Sequence, residues 1–583
     1  MATDLGPRPW YGDWPAGVPK TIDIPDIGLG EMLRRTAGQY PDHKAIVFLD
    51  TVLTYRQLDE YVDRFATALS RLGIQKGDVV ALMLPNSHQF VISFYACQRL
   101  GVTVTAINPT YKPMEVRHQL NDSGAKALIV LDSVYESPGK VLAETGVQHI
   151  IGTNVVDLCG FSTLKVCLGK LLKKIPAGKL PPQALKFSDL LQTEPDPPQV
   201  EIDPANDLAV LQYTGGTTGT PKGAMLTARN LVANVYQGIA WLEGVKPGWG
   251  WVGVLPLFHV FAMTCCMNIA IGSGGFQLLF PRPPADMREW AQQVEKWGRG
   301  TSLVMAGVAV LFNKINNTPG MEKFDLSPLK KCLSGAGPLP REVQLRFEEY
   351  IGALVVEGYG LSEASPVVTA NPFKLVPGKE RVMGSIGLPF PNTDCKIMDL
   401  ETGETELPLA PADTDPDQVD PKYVGELVCK GPQVMKGYYN RPEETARTLR
   451  DGWLYTGDIA FMNQRGYIFI KDRARDLVKC KGYSVFPKEV EDYLFAHPDI
   501  LEAAVIGLPD PKLGERLKAF VVLKPEADPE KVTAEAIIAW CRENMTHYKV
   551  PAEVEFRKDL PKTLVGKVLR RVLKEEEQAK AGK

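Results

Sequence analysis

The sequence predicts an α/β fold, because short apolar runs of strand length alternate with longer amphipathic runs of helical period. Such alternation is typical of a parallel sheet with helices on its faces. The chain has 583 residues, which is too long for a single hydrophobic core, so we expect two or more domains. Apolar residues make up 44% and charged residues 23%, as in ordinary globular proteins.

Strand-like and helix-like runs alternate in the first part of the chain. Strands are predicted at residues 44–48, 79–84, 102–107 and 127–131, and helices at 54–72 and 89–100. Residues 248–281 contain no Asp, Glu, Lys or Arg, but Pro256 and the small residues at 272–275 interrupt the apolar run. This pattern favours two buried core elements joined by a turn over a membrane span.

A second pattern begins near residue 477 and predicts a smaller domain. Residues 402–422 are acidic and proline-rich and indicate an exposed loop. Beyond the joint, we expect a helix at 487–495, strands at 503–506 and 519–523, and a helix at 534–545, followed by a frayed charged tail at 574–583. The predicted domains are therefore residues 1–474 and residues 475–583.

Charge and cysteine usage exclude some classes of protein. The net charge is −3, from 66 basic and 69 acidic side chains, so nothing indicates a nucleic-acid partner. The ten cysteines form no CxxC pair, and their spacing fits no zinc site. The polar, proline-rich N-terminus does not read as a signal peptide, and we expect reduced thiols and a cytoplasmic location.

A glycine- and threonine-rich segment at residues 213–224 predicts a phosphate-binding loop. It follows the strand-like run 208–212 and interleaves four Gly, four Thr and one Lys. Glycines let backbone N–H groups face an anion, while threonine hydroxyls and a lysine add donors and charge. Neither a Walker A nor a GxGxxG spacing is present. The segment consists of Tyr213, Thr214, Gly215, Gly216, Thr217, Thr218, Gly219, Thr220, Pro221, Lys222, Gly223 and Ala224.

Two further segments carry groups suited to a nucleotide. In the run 358–366, Tyr359 lies between Gly358 and Gly360, where its ring could lie flat against a planar base, and Glu363 is a hard oxygen ligand suited to Mg²⁺. In the run 455–459, Asp458 follows a tight turn, and a carboxylate suits vicinal ribose hydroxyls.

In this order, and over nearly the whole chain, these motifs resemble the acyl-adenylate-forming (AMP-binding) superfamily. Within it, the sequence looks most like the bacterial long-chain fatty acid–CoA ligases. The resemblance implies a large N-terminal domain of two α/β subdomains plus a small β-barrel-like subdomain, followed by a small mobile α+β C-terminal domain.

The resemblance also implies roles for individual residues. Tyr359 would lie beside adenine, Ser362 on phosphate, and Glu363 and Thr218 at the metal ion. Gly335 and Ala336 would lie between the acyl and adenine sites. His259, which without context would be a satisfied core histidine, would line the acyl pocket; Met263 stands where some long-chain relatives have a gating Trp.

The C-terminal motifs complete the set that the resemblance implies. Arg473 would contact ATP, and Arg475 would be the pivot between the domains, although many relatives have Asp or Lys there. Lys479 would face the site in a second conformation. Lys567 would be the adenylation lysine, which bridges the carboxylate of the acid and the α-phosphate.

The implied activity is ATP-dependent activation of a fatty acid to acyl-AMP and pyrophosphate, then transfer to coenzyme A, with ATP, Mg²⁺ and CoA required. Alternatives are a CoA ligase for a medium-chain, aryl or dicarboxylic acid, a ligase that loads a carrier protein, and luciferase-like oxygenation. An inactive acyl-AMP-binding sensor is disfavoured, because both Glu363 and Lys567 are retained.

One segment at residues 158–180 bears on partners. Phe161, Leu164, Leu168, Leu171, Leu172 and Ile175 fall on one helical face, with Lys170, Lys173 and Lys174 opposite and Lys165 at the flank. A basic amphipathic helix can lie on the inner face of the cytoplasmic membrane, and a helix packed on the protein's own core fits equally well. The acyl chain length and the oligomeric state, with a homodimer as the candidate, stay open.

Overall fold

The computed structural model describes residues 8–172, 174–214, 221–375, 377–473, 476–480, 483–510, 514–528, 530–563 and 568–581. At residues 163–165, 473, 479, 483, 484 and 514 it describes the backbone alone.

Four sheets organise the strands. A nine-stranded sheet begins with β1 (Lys44–Phe48) and β2 (Thr51–Thr54). A seven-stranded sheet contains β3 (Val79–Met83), β4 (Thr103–Ala106), β5 (Ala127–Leu131), β6 (His149–Thr153), β7 (Leu185–Lys186), β8 (Leu208–Thr214) and β9 (Lys222–Thr227). The nine-stranded sheet continues with β10 (Gly250–Gly253), β11 (Phe276–Leu279), β12 (Leu303–Gly307), β13 (Leu329–Ser334), β14 (Val355–Gly360), β15 (Val367–Ala370) and β16 (Leu388–Pro389).

The remaining two sheets have five strands each. One contains β17 (Asp394–Met398), β18 (Gly425–Lys430), β19 (Leu449–Arg450), β20 (Trp453–Met462) and β21 (Ile468–Arg473). The other contains β22 (Val478–Cys480), β23 (Tyr483–Val485), β24 (Ile500–Asp510), β25 (Gly514–Leu523) and β26 (Glu553–Phe556).

The helices are interleaved with these strands. They are α1 (Leu29–Gln39), α2 (Tyr55–Arg71), α3 (His88–Arg99), α4 (Pro113–Ser123), α5 (Glu136–Gly139), α6 (Thr163–Leu171), α7 (Phe187–Leu190), α8 (Ala228–Trp241), α9 (Val260–Ala262), α10 (Ile269–Gly272), α11 (Met287–Gly298), α12 (Ala309–Asn316), α13 (Arg341–Ile351), α14 (Pro442–Thr448), α15 (Pro487–Phe495), α16 (Ala534–Asn544) and α17 (Arg570–Ala581). A six-residue π-helix, Met263–Asn268, joins α9 to α10.

The predicted parallel arrangement is confirmed in both large sheets. In the nine-stranded sheet β1, β11, β10, β12, β13 and β14 are parallel neighbours, and in the seven-stranded sheet β7, β6, β5, β3, β4 and β8 are. Their central strands are buried along their whole length, as expected for a sheet covered by helices on both faces. The fold class is thus the mixed α/β class that the sequence predicts.

Local sequence sets several of the helix starts. Thr54 caps α2 by accepting a hydrogen bond from the Gln57 backbone N–H, and the Gln57 side chain returns one to the Thr54 N–H. Thr227 and Asn230 form the same reciprocal pair at α8. Each pair satisfies two backbone donors that would otherwise lack partners.

The uncharged run at residues 248–281 is more elaborate than the predicted pair of elements. It contains β10, the helical stretch from Val260 to Gly272 and β11, and nearly all of it is buried in the main core. Within the described part of the chain, no helix is long and apolar enough to cross a membrane.

The C-terminal tail differs from the expectation of a frayed end. Residues 570–581 form α17, whose Leu573 is fully buried. Lys580 lies 2.6 Å from Glu577 and 2.9 Å from Glu555 of β26. The charged residues up to position 581 therefore belong to a helix that is docked by Leu573, just before the predicted tail, and by ion pairs.

The apolar cores separate near the predicted joint. Among the described residues, no buried apolar cluster has members on both sides of residues 471–477. A large N-terminal domain is therefore followed by a small one built on the sheet of β22–β26. The boundary between residues 474 and 475 is a proposal that agrees with this division.

Candidate functional site

Three of the predicted site segments lie where parallel strands of the nine-stranded sheet end. Parallel strands β10, β12, β13 and β14 end there. Gly335 directly follows β13, the run 358–360 ends β14, and Ser334 pairs with Glu357 in register. The carboxyl ends of strands in an open α/β sheet are the usual place for a ligand.

Tyr359 and Asp458 come together at this edge. The Tyr359 hydroxyl donates a hydrogen bond to Asp458 Oδ2 at 2.5 Å, across 99 positions of sequence. Asp458 is buried in β20 and pairs in register with Arg473 of β21. Burial, followed by the neighbouring carboxylate, raises the pKa of Tyr359 well above its usual value, so the hydroxyl remains a donor.

Gly360 is required by a close approach of the backbone. A Cβ at this position would lie 2.2 Å from the carbonyl oxygen of Pro366. Gly360 is thus explained by packing as well as by the predicted nucleotide contact.

Glu363 lies in a single turn, Ser362–Ala364, that contacts β8 and β9. The Tyr438 hydroxyl donates to Glu363 Oε1 at 2.7 Å, and the Met435 backbone N–H donates to the Glu363 carbonyl at 2.8 Å. Burial and the Glu363 carboxylate together raise the pKa of Tyr438, which keeps its hydroxyl protonated. One Glu363 oxygen is thereby oriented by a neutral donor.

The segment 435–439 runs along β9 and carries Tyr438 to that position. The backbone N–H groups of Lys436 and Tyr439 donate to Met225 and Gly223, and Met225 N–H donates to Gly437. These bonds fix the segment beside the strand that follows the predicted phosphate loop.

Lys222 begins β9 and has two neighbours from the same part of the chain. Its ammonium lies 2.9 Å from Glu444 Oε2 and 5.4 Å from the centre of the Tyr438 ring. Lys222 therefore lies over the ring of Tyr438, while Glu363 accepts a hydrogen bond from the hydroxyl of the same tyrosine. Ala224 forms a backbone bridge with Tyr438 as well.

Helix α4 contacts both flanks of the predicted loop. The Tyr213 hydroxyl donates to Asp122 at 2.6 Å, and His118 Nε2 lies 3.0 Å from the Pro221 carbonyl oxygen. His118 and Asp122 are four residues apart and so lie on one face of the helix. A surface depression of about 840 Å³ beside them is lined by α4, Pro221 and Arg441.

The turn after β13 meets the segment that carries His259. A Cβ on Gly335 would lie 2.9 Å from the Phe261 ring, and the Phe261 N–H donates to His259 Nδ1 at 3.2 Å. Ala336 has a positive φ of 66°, which is uncommon for a residue with a side chain. Gly335 therefore lies against the segment that carries His259, and the predicted junction of two subsites at Gly335 and Ala336 stays a prediction.

Several predicted residues lie outside what the structure describes. They are Gly215, Gly216, Thr217, Thr218, Gly219, Thr220, Arg475 and Lys567, and the side chains of Arg473 and Lys479. Their roles stay predictions.

The structure also adds residues that the sequence analysis missed. Tyr438, Asp122 and Glu444 each contact a predicted site residue. Tyr438 lies 75 positions from Glu363, and Asp122 lies 91 positions from Tyr213, so no local spacing links them. The aromatic pair Tyr438–Tyr439 in a polar turn was the one available signal.

Glu363 is the carboxylate at this site best suited to a hard cation. Mg²⁺ commonly takes one or two carboxylates together with substrate phosphates, so a single oriented glutamate beside the loop flanks fits it. Among the described residues, the acidic cluster that could hold an ion is Glu553, Glu555 and Glu577. That cluster surrounds the ammonium of Lys518 at 2.6–2.8 Å, and so already has its cation.

The chain is similar to known proteins over nearly its whole length. The model of the AMP-binding enzyme family matches residues 33–439, and that of the AMP-binding enzyme C-terminal domain matches residues 489–567. A long-chain-fatty-acid–CoA ligase of Bacillus subtilis is 41% identical over 576 residues, covering 98% of each chain.

Two solved structures are similar over nearly their full length. ATP-bound MatB from Rhodopseudomonas palustris has a TM-score of 0.76 at 26% identity, covering 94% of this chain and 99% of that one. A fatty acyl CoA synthetase of Mycobacterium tuberculosis has a TM-score of 0.70 at 27% identity, covering 95% and 99%.

Proposed function

The chain belongs to the AMP-binding enzyme family, and we propose that it is an AMP-forming long-chain fatty acid–CoA ligase. The observation that carries this proposal is the meeting of Tyr359 with Asp458, beside Glu363 and the flanks of the glycine-rich loop. A planar ring with a carboxylate suits a nucleoside, and a lysine with an oriented glutamate suits a metal-bound triphosphate. The acid specificity rests on the named relatives.

In the first step, a carboxylate oxygen of the fatty acid attacks the α-phosphorus of ATP. The P–O bond to the β-phosphate breaks, giving acyl-AMP and pyrophosphate. We assign Tyr359 to the adenine, Asp458 to the ribose, and Lys222 with the loop N–H groups to the phosphates, where they offset charge. Lys567 is assigned to the carboxylate and the α-phosphate.

In the second step, the sulfur of CoA attacks the acyl carbon and the bond to AMP breaks. The thiol proton is released, and acyl-CoA and AMP are the products. No Ser or Cys nucleophile is required. We assign Gly335 and Ala336 to the passage between His259 and the nucleotide, where small residues would leave space for the thioester-forming group.

A bound Mg²⁺ would neutralise phosphate charge and align the leaving pyrophosphate. Glu363 would hold it, together with the Thr218 hydroxyl, and Tyr438 would keep the Glu363 carboxylate in place.

Pyrophosphate–ATP exchange in the presence of palmitate tests the first step. We expect exchange with Mg²⁺, and its loss in Lys567→Ala. The double substitution Glu363→Gln with Tyr438→Phe should also abolish it. If Lys567→Ala exchanged at the wild-type rate, the adenylation mechanism would be wrong.

A panel of acids tests the substrate class. CoA consumption should be fastest with long-chain fatty acids and slow with medium-chain, aryl and dicarboxylic acids. Equal or faster turnover of benzoate or malonate would contradict the fatty acid assignment, while leaving adenylation intact. Loading of a carrier protein in place of CoA would favour the carrier-protein alternative.

We also propose peripheral membrane contact through α6. Phe161, Val166 and Ile175 pack against the main core, whereas Leu168, Leu171 and Leu172 are 51%, 78% and 55% exposed. Some apolar residues of the segment therefore pack on the protein's own core, while three leucines are left exposed and available for a membrane surface. Lys170 and Lys174 belong to the same segment and add positive charge, which suits an anionic lipid surface.

Co-sedimentation with anionic and zwitterionic vesicles measures this contact. Leu171→Glu with Leu172→Glu should abolish binding to anionic vesicles. Leu345→Glu, at a comparably exposed leucine on α13, serves as the matched control. Equal binding by the α6 variant and the control would exclude α6 as the contact.

Light scattering decides between a monomer and the candidate homodimer.

A further inference from the structure

Lys222 has a protein partner at the place where a phosphate is expected. Its ammonium lies 2.9 Å from Glu444 Oε2, and the two side chains are 33% and 36% exposed. Glu444 Oε2 is itself shielded from water and has no hydrogen-bond partner among the described residues, so the pair rests on charge alone, and such a pair between partly exposed side chains is weak. A carboxylate and a phosphate oxygen are equivalent acceptors for a lysine, so one can replace the other.

The position of Glu444 is fixed by its neighbours. The Thr445 hydroxyl donates to the Arg441 carbonyl at 2.8 Å and accepts from the Tyr438 N–H at 2.9 Å. The start of α14 is thereby tied to the segment that runs along β9. Glu444 is held on the side facing Lys222.

We propose that Glu444 competes with the triphosphate of ATP, and with pyrophosphate, for Lys222. This inference rests on the proposed function and adds a positioning residue to it. A polyphosphate that engages Lys222 must displace the Glu444 carboxylate, which lowers its affinity. When pyrophosphate leaves, Glu444 takes its place, so the lysine remains paired and product release is favoured.

A role for Glu444 as a metal ligand predicts the opposite sign. If Glu444 held the cation of the nucleotide complex, its removal would weaken ATP binding. If it competes for Lys222, its removal strengthens ATP binding. The direction of change in the KM for ATP therefore separates the two roles.

The test is Glu444→Gln in the full-length chain, which keeps the shape of the side chain and removes its charge. We expect the KM for ATP and the inhibition constant of pyrophosphate both to fall about two- to fivefold, the range for a partly exposed ion pair. The effect should fall on KM rather than on kcat, because the gain is shared by the ground state and the transition state. Glu444→Ala should change KM in the same direction.

Glu443→Gln is the matched control. Glu443 is 88% exposed at its side chain and lies 4.0 Å from Arg447, so its charge is removed without loss of the Lys222 pair. Its KM for ATP should equal that of the wild type.

A double-mutant cycle completes the test. In a Lys222→Gln background, Glu444→Gln should leave the KM for ATP unchanged, because the competition no longer exists. If the wild type shows no pyrophosphate exchange, the proposed function fails. If the wild type exchanges and Glu444→Gln leaves the KM unchanged or raises it, this inference fails alone.

Discussion

Glu357 is a buried carboxyl group in the middle of β14, beside the turn that holds Gly335. It is 8% exposed and accepts a hydrogen bond from the Leu339 N–H at 3.2 Å. Burial is the main cause that raises its pKa from 4.5 to about 7. A neutral carboxyl therefore persists at this turn well above the usual pH range of a glutamate.

This raised pKa predicts a pH dependence of stability. Between about pH 4.5 and 7 the folded chain keeps a proton that the unfolded chain releases, so the free energy of unfolding falls as pH rises. The contribution is fully present below pH 4.5 and is lost through about pH 7. Glu357→Gln, which keeps an acceptor for Leu339, should gain about 3 kcal/mol relative to the wild type between pH 4.5 and 8. Denaturant unfolding at both pH values measures this, and parallel pH curves would contradict it.

The Tyr438 hydroxyl gives a second prediction for a single atom. Tyr438→Phe removes the bond to Glu363 and leaves the ring on Lys222. Hydrogen bonds to charged groups are worth about 1.5–3 kcal/mol, so pyrophosphate exchange should fall about tenfold or more. Tyr439→Phe, at a neighbouring ring packed on the core of the seven-stranded sheet, should exchange at the wild-type rate. An equal loss in both variants would point to folding and not to Glu363.

At the scale of elements, α4 acts as a brace for the predicted phosphate loop. Its Asp122 contacts Tyr213, the first residue of the loop, and its His118 contacts Pro221 within the loop. Its own start is fixed by Pro113 at the first helical position and by Glu115, which accepts from the Lys112 N–H. Two side chains on one rigid face can hold both ends of a loop at a constant separation.

The brace predicts a specific pattern of non-additivity. Asp122→Asn and Tyr213→Phe weaken the same hydrogen bond, so the double variant should raise the KM for ATP no more than the larger single effect, about fivefold. Asn121 is also on α4, and its side chain donates a hydrogen bond to the Glu144 carbonyl. Asn121→Ala removes that bond and so controls for a general loss of helix stability. Additive single effects would show that the two residues act separately.

The helices and strands also show how much of the fold could be predicted from the sequence. The strands at 44–48 and 127–131 match their predicted bounds, because nearly continuous apolar runs mark them. The helix at 487–495 also matches, because Pro487 marks its start and its apolar residues recur at helical spacing. β24 spans Ile500–Asp510, well beyond the predicted 503–506, because residues on both sides of the apolar run also pair with β25. Contacts such as that of Tyr438 with Glu363 were not predictable, since they depend on which loop the fold lays against β9.

At the scale of the whole molecule, Arg570 links the two domains. This residue of α17 lies 3.5 Å from Asp472 of β21, 3.1 Å from Asp476 and 2.6 Å from Glu491 of α15. Asp472 also accepts from the Lys488 N–H at 2.8 Å. These acidic groups raise the pKa of Arg570, although burial opposes them.

Loss of this arginine should be costly. Arg570→Met leaves three acidic groups near one another with no guanidinium between them, so the free energy of unfolding should fall by about 3 kcal/mol or more. Arg571→Met is the matched control, because Arg571 is exposed and lies 3.5 Å from Glu575 alone among the described carboxylates, and it should change stability by less than about 0.5 kcal/mol. Denaturant unfolding compares them, and similar midpoints would mean that Arg570 is not the link.

The hairpin of β20 and β21 brings Asp458, the proposed ribose contact, close to the joint between the domains. Asp458 pairs with Arg473, and Ile459 pairs with Asp472, on which α15 and α17 converge. Neighbouring strands are separated by about 4.8 Å, so Asp458 lies one strand away from Asp472 and the joint between the domains. A nucleotide bound at Asp458, as proposed, would therefore act on the domain joint through a single pair of strands.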